Sequence, residues 1–140
     1  MGAAVRSELS KKNKYWVEKN RYYELKYFCM QYSMWKKVYL ELDGLAASCT
    51  YDSIGSSKSN IPSDPTSRIA EDRMYYFDKM QLVEQTALAA DADLASYILN
   101  GVTEGLSYDS LKIRFEIPCG KDMYYDRYRR FFWLLDKARN

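Results

Sequence analysis

Basic and tyrosine side chains are concentrated close to the C-terminus, in a pattern that could bind a polyanion. Residues 121–132 read KDMYYDRYRRFF. Arginine forks match guanine edges and phosphates, and tyrosine hydroxyls donate hydrogen bonds to phosphates. On one helix, such side chains would reach bases and backbone in the major groove of DNA. The candidate DNA-binding side chains are therefore Lys121, Tyr125, Arg127, Arg129 and Arg130.

A helix is needed to hold these side chains, and the apolar spacing predicts one from Lys121 to about Ala138. Large apolar residues recur there at intervals of three or four positions, which places them on one buried face. The cations and Tyr125 fall on a different face of the same helix. The residues of the predicted buried face are Tyr124, Tyr128, Phe131 and Leu135.

A shorter helix is predicted from Tyr108 to Phe115, with Ser107 as its N-cap. Residues 112–117 also alternate between polar and apolar, so a short strand is the alternative there. After this helix, Pro118 and Gly120 provide the backbone restriction and freedom that a sharp turn requires. Residues 105–138 are therefore predicted to form a helix-turn-helix.

This C-terminal segment resembles phage-encoded late-gene transcription regulators of the RinA and ArpU type, whose helix-turn-helix is similar to the promoter-reading domain of sigma factors. The likeness lies in the turn at 117–120, in the tyrosine- and arginine-rich helix that follows, and in the aromatic and leucine-rich end at 131–135. The chain also resembles uncharacterised proteins of phages and prophages of gut Firmicutes. The resemblance implies a phage transcription regulator that binds double-stranded DNA sequence-specifically.

The N-terminal half of the chain is also predicted to be helical. An apolar stripe over residues 22–42 has helical spacing, with a break near Ser33 and a C-cap at Gly44. Asp64 and Pro65 are typical of the first residues of a helix, and the next stripe ends near Ala90.

A short helix is predicted after that stripe, because Asp91 and Asp93 favour a helix N-terminus. It should end near Gly101. With the helices on either side of it, this completes an all-α fold: a helical N-terminal part followed by the C-terminal helix-turn-helix.

The chain divides into an arm and a domain at about residue 14. Residues 1–14 are polar and are predicted to form a flexible basic arm, and residues 15–140 a single helical domain. Serine and glycine enrichment predicts a mobile loop over residues 44–66. The candidate arm contacts to DNA are Lys11, Lys12 and Lys14.

The composition argues against most enzyme and metal chemistry. The sequence has 0 His and three cysteines that lie far apart, in no Cys-x-x-Cys pair. The commonest general base and the usual zinc ligands are therefore missing. We expect no enzymatic activity, no metal and no cofactor.

Charge is segregated along the chain, although the net charge is only +2. Residues 1–43 and 107–140 are basic, and residues 44–106 are acidic. Basic ends favour a polyanionic partner. The acidic middle supports an alternative: a phage-encoded inhibitor that mimics nucleic acid and binds a host nuclease, polymerase or repressor, as anti-CRISPR and anti-repressor proteins do.

The expected partners are therefore double-stranded DNA, or a host protein such as RNA polymerase or a nuclease, and a homodimer is compatible with either. No stretch is long and apolar enough to span a bilayer, and the cysteine usage suits a reducing cytoplasm. We expect a cytoplasmic protein with no membrane partner.

Overall fold

In a computed structural model of the chain, the structure describes residues 12–53 and 65–139, with side chains over 12–45 and 65–139. All regular secondary structure in these two ranges is helical, which confirms the all-α prediction. The helices, in chain order, are α1 (Lys19–Cys29), α2 (Tyr32–Ser53), α3 (Pro65–Ala90), α4 (Ala95–Glu104), α5 (Tyr108–Phe115) and α6 (Lys121–Ala138).

The chain divides into two compact units. The first contains the described residues 12–32 and 82–139, and here α1, α4 and α5 all pack against α6. Burial of large apolar side chains from every one of these helices drives the packing. Those with an exposed fraction of 1% or less include Tyr22, Leu25, Ile98, Leu111, Phe131 and Leu135.

Helix α6 is the centre of the first unit, and aromatic rings surround it. The ring of Tyr22 in α1 meets Phe132 edge to face, with centroids 5.2 Å apart. The hydroxyls of Tyr22 and Tyr128 are 2.6 Å apart in the buried interior. Edge-to-face contacts stabilise aromatic pairs beyond the area they bury. The tyrosines buried in this core are Tyr15, Tyr22, Tyr124, Tyr125 and Tyr128.

The second unit contains the described residues 33–53 and 65–81, so it is formed by α2 and by α3 as far as Gln81, which lie side by side in opposite directions. The ring of Tyr39 contacts Phe77 at 5.9 Å, and Arg73 pairs with Asp43 at 3.5 Å. These contacts run in opposite senses along the two helices, as an antiparallel pair requires. We call this unit the hairpin.

Several predicted helix limits agree with the structure. The helices at 108–115 and 121–138 begin and end as predicted, and Ser107 caps the former by accepting a hydrogen bond from the Ser110 N–H at 3.2 Å. The helix that was predicted to end near Ala90 does so. Helix caps and turns depend on residues that are close together in the sequence, so the sequence predicts them directly. The alternative of a strand over 112–117 is wrong.

Other predicted limits are wrong. Helix α2 does not end at Gly44 but continues to Ser53, so residues 44–53 of the predicted loop are helical. One glycine costs a helix only about 1 kcal/mol, which the helix-forming residues after it can offset. Helix α4 continues past Gly101 to Glu104, because Gly105 supplies the left-handed cap with φ 68°. Residues 54–64 of that loop lie outside the described residues, and its last two residues, 65 and 66, are the first residues of α3.

Candidate nucleic-acid interface

The side chain of Tyr125 is not on the surface, contrary to the prediction. It is only 6% exposed, and its hydroxyl accepts a hydrogen bond from the backbone N–H of Tyr108 at 3.0 Å. Helix α6 is enclosed by neighbours on more than one side, so its buried surface is wider than the single predicted stripe. Tyr125 therefore anchors α5 to α6 and cannot contact DNA.

Arg127 lies between two carboxylates. Its Nε donates to Asp91 Oδ2 at 2.8 Å, and its Nη1 donates to Asp126. Hydrogen bonding to Asp91 raises the pKa of Arg127, against the effect of desolvation, with a further contribution from Asp126. Helix α6 is tied in this way to the start of α4, and two negative charges already occupy this guanidinium.

Asp91 forms hydrogen bonds both to Arg127 and to the turn that precedes α4. Its Oδ1 accepts hydrogen bonds from the N–H groups of Asp93 at 2.9 Å and Leu94 at 3.1 Å. Burial raises the pKa of Asp91, but the hydrogen bonds from Arg127 and these two N–H groups outweigh it, so the pKa lies below its ordinary value. The ionised form is therefore the stabilising one.

Replacing Asp91 with alanine is expected to lower the free energy of unfolding by about 2 kcal/mol at pH 7, because two backbone hydrogen bonds in the turn before α4 and a charged hydrogen bond to Arg127 are removed together. A lowered carboxyl pKa gives stability that is present above the unfolded pKa of about 4 and is lost as the pH falls through the folded value. Urea unfolding at pH 7 and at pH 3 should therefore show a smaller difference between variant and parent at pH 3. Asp93→Ala, at an exposed position, is the control and should change stability by less than about 0.5 kcal/mol.

The remaining predicted cations of α6 differ in accessibility. Lys121 is exposed in the first turn. Arg129 and Arg130 are half-buried, and the Nε atom of each is buried without a hydrogen-bond partner among the described residues. Buried donors of this kind are uncommon in proteins and call for an acceptor. Because these Nε atoms are buried, an external ligand reaches the two arginines only through their terminal Nη groups.

Arg130 lies in a cluster that also includes a residue of the predicted arm. Its Nη1 donates to the hydroxyl of Tyr15 at 3.3 Å, and the Tyr15 ring packs on Trp133 with centroids 5.5 Å apart. The ammonium of Lys14 lies 5.0 Å from the Tyr15 ring centre, and that of Lys137 lies 4.4 Å from the Trp133 ring centre. We call these five residues the cationic patch.

The cationic patch carries positive charge that no neighbouring carboxylate neutralises. The hydrogen bond from Arg130 lowers the pKa of Tyr15, and Lys14 adds to this against the opposing effect of desolvation. Two aspartates of α6 are engaged elsewhere, since Asp126 pairs with Arg127 and Asp136 with Arg21 at 2.6 Å. Among the described residues, no carboxylate pairs with Lys14, Arg130 or Lys137.

The sequence supplied only parts of the cationic patch. Lys14 and Arg130 were candidates, but Tyr15, Trp133 and Lys137 were not among the predicted DNA contacts. The spacing of Trp133 and Lys137, four residues apart in a helix, was a usable signal because such side chains are neighbours. The meeting of Lys14 with Arg130 had no signal in the sequence. Of the other arm candidates, Lys12 is exposed in the turn before Tyr15, and Lys11 lies outside the described residues.

Outside the cationic patch, the first unit has an open pocket of about 520 Å³ whose lining includes Tyr23, Gly101, Ser107 and Tyr128. None of the described helices is long and apolar enough to cross a membrane. In the same part of the chain, no three of the side chains that usually hold metals lie close enough together to bind an ion. Scans against protein-family models, curated proteins and solved structures found no match to this chain.

Proposed function

We propose that this protein binds double-stranded DNA and regulates transcription, with the cationic patch as its main contact to the phosphate backbone. The observation that carries the proposal is the convergence of Lys14, Arg130 and Lys137 around the Tyr15 and Trp133 rings, with no paired carboxylate among the described residues. Like charges held together raise each other's energy, and a phosphate placed between them would relieve this repulsion.

The shape of the patch is compatible with a duplex. Arg130 and Lys137 are seven residues apart on α6, so they lie about 10 Å apart along one helix face. Lys14 extends the same surface from the segment before α1. Cations distributed in this way can contact successive phosphates, and the half-buried Trp133 between them can donate its indole N–H to a phosphate oxygen. The Tyr15 ring is buried and serves as the support on which these side chains pack.

The mode of contact differs from the one that the sequence suggested. Tyr125 is buried and Arg127 is paired, so the first half of α6 presents only Lys121 among the predicted reading side chains. Phosphate contacts from the second half of α6 are favoured by this geometry. Sequence preference would then come from Lys121, or from the sequence-dependent shape of the DNA. The regulatory role itself follows from the resemblance to RinA- and ArpU-type proteins.

The test is duplex binding as a function of salt concentration, for the parent and for Lys14→Ala, Arg130→Ala and Lys137→Ala. Each variant should weaken binding to all sequences similarly and should reduce the slope of log K against log salt by about one, because the variant neutralises one phosphate fewer. Lys112→Ala, an exposed lysine of α5 outside the patch, is the matched control and should bind like the parent.

Two results would contradict the proposal. If the parent binds no duplex even at low salt, the DNA-binding function is wrong, and the protein-binding inhibitor becomes the leading hypothesis. If the parent binds but the three patch variants match the control, DNA binding stands and the patch is not its site. Lys121→Ala then identifies the alternative, because removing a side chain that reads a base would reduce affinity for one sequence more than for others.

A further inference from the structure

The hairpin leaves an unusual amount of apolar side chain exposed. Within its described residues, only Trp35 and Met80 are buried. Two helices lying side by side cannot enclose a core, and such pairs usually bury their apolar faces against further helices. The large apolar side chains of the hairpin that are between 46% and 57% exposed are Met34, Leu40, Leu45, Met74 and Tyr75. Of these, Tyr75 lines the groove described next.

One face of the hairpin carries a groove of about 510 Å³. Val38 and Leu42 of α2 line one side of it. The other side is lined by residues of α3, namely Glu71, Asp72, Tyr75 and Tyr76. We call it the tyrosine groove. Its centre is aromatic and aliphatic, and its carboxylates lie at one end.

The face of α3 that borders the groove carries charges of opposite sign at positions 72 and 79. One face of the helix carries Asp72, then Tyr75 and Tyr76, then Lys79, because each step between them is three or four residues. The Lys79 ammonium lies over the Tyr75 ring, 4.7 Å from its centre. The same ammonium lies 5.7 Å from the centre of the Trp35 ring. Neither Glu71 nor Asp72 forms an ion pair with any described residue. Between positions 72 and 79 the face therefore runs from negative, through aromatic, to positive, and the exposed Arg68 lies one turn before Asp72.

We propose that the tyrosine groove is a dimer interface, in which a second copy of this chain packs antiparallel across a two-fold axis near Tyr75 and Tyr76. A two-fold axis there exchanges the ends of the face, so Lys79 of one copy meets the partner's Asp72, and the reverse pair forms at the other end. A face with one charge sign would repel its own copy, whereas this one complements itself. The two hairpins together form a four-helix arrangement that covers the exposed rings.

This inference does not depend on the proposed function, because the groove and the cationic patch share no residue. The charge order favours a second copy of this chain as the partner that occupies the tyrosine groove. An unrelated partner would require complementary charges at each end, but it would not require the groove to complement itself.

The experiment measures the mass of the full chain by sedimentation equilibrium over a range of concentrations. The parent is expected to be a dimer. Asp72→Lys and Lys79→Glu should each raise the dissociation constant by roughly tenfold or more, because two ion pairs per dimer become two repulsive contacts. Asp78→Lys has the same change of charge as Asp72→Lys in the same helix, at a position outside the groove, and should leave the dimer unchanged.

Mixing the two weakened variants gives the decisive measurement. In a heterodimer of Asp72→Lys with Lys79→Glu, every position 72 faces an opposite charge at position 79 of its partner, so an equimolar mixture should dimerise nearly as tightly as the parent. Circular dichroism melting of each variant confirms that it is folded. A monomeric parent at every concentration would overturn the proposal. So would a dimer that Asp72→Lys does not weaken, or a mixture of folded variants that dimerises no better than either alone.

Discussion

Replacing Tyr124 with alanine is expected to lower the free energy of unfolding by about 3–5 kcal/mol, whereas replacing it with phenylalanine should raise it by about 1 kcal/mol. The ring of Tyr124 is fully buried and packs against Tyr108, Tyr125 and Tyr128, so its removal leaves a large cavity. The hydroxyl, in contrast, is buried with no hydrogen-bond partner among the described residues. Phenylalanine keeps the ring and removes the orphaned group.

The neighbouring tyrosine is the matched control for this prediction. Tyr125 is also buried, but its hydroxyl accepts the N–H of Tyr108, so Tyr125→Phe should destabilise the protein by about 1 kcal/mol. Removing one oxygen atom should thus change the free energy of unfolding in opposite directions at these two adjacent positions. Urea unfolding followed by circular dichroism measures all three variants. A destabilised Tyr124→Phe would mean that this hydroxyl has a partner, such as an ordered water.

Replacing Gly101 with alanine is expected to cost about 2–3 kcal/mol, although alanine normally stabilises a helix relative to glycine. Gly101 lies inside α4, and a Cβ atom built on it would be 2.2 Å from the Tyr124 hydroxyl oxygen. Neither group can move away easily, because the Tyr124 ring and the Gly101 backbone are both buried. The next neighbours of that Cβ, Leu111 Cδ1 and Tyr124 Cζ, are both at 3.4 Å, which is close to ordinary van der Waals separation.

The clash is with a single oxygen atom, so a second substitution should remove it. In a Tyr124→Phe background, Gly101→Ala should become neutral or should stabilise the protein by up to about 1 kcal/mol, through the helix propensity of alanine. The double-mutant cycle should then give a coupling free energy of about 3 kcal/mol. Equal effects of Gly101→Ala in the two backgrounds would show that the steric conflict lies elsewhere.

The helices of the first unit were largely determined by the local sequence. The apolar spacing over 121–138, the Ser107 cap and the turn residues Pro118 and Gly120 each act over a few positions, so they predicted α5 and α6 to the residue. The predicted helix limits were wrong at glycine, because this residue can either continue a helix or end it. Gly44 is tolerated inside α2, whereas Gly105 ends α4 in the left-handed conformation.

The surface of α6 could not be predicted in the same way. A periodic stripe identifies one buried face, but it does not say how many neighbours a helix will have. Tyr125 and Phe132 are buried because α6 lies among α1, α4 and α5, and Arg127 is unavailable because the fold brings Asp91 to it from 36 residues away.

The sequence by itself therefore determined the helical class, the C-terminal pair of helices and the presence of unusual numbers of cations and tyrosines near the C-terminus. Only the tertiary structure decided which of these side chains lie together. Lys14 and Tyr15 meet Arg130 and Trp133 because α1 packs along α6, which joins segments separated by 115 residues. The spacing of apolar residues indicates which face of a helix is buried. A surface shared by distant segments depends instead on how the helices pack against one another.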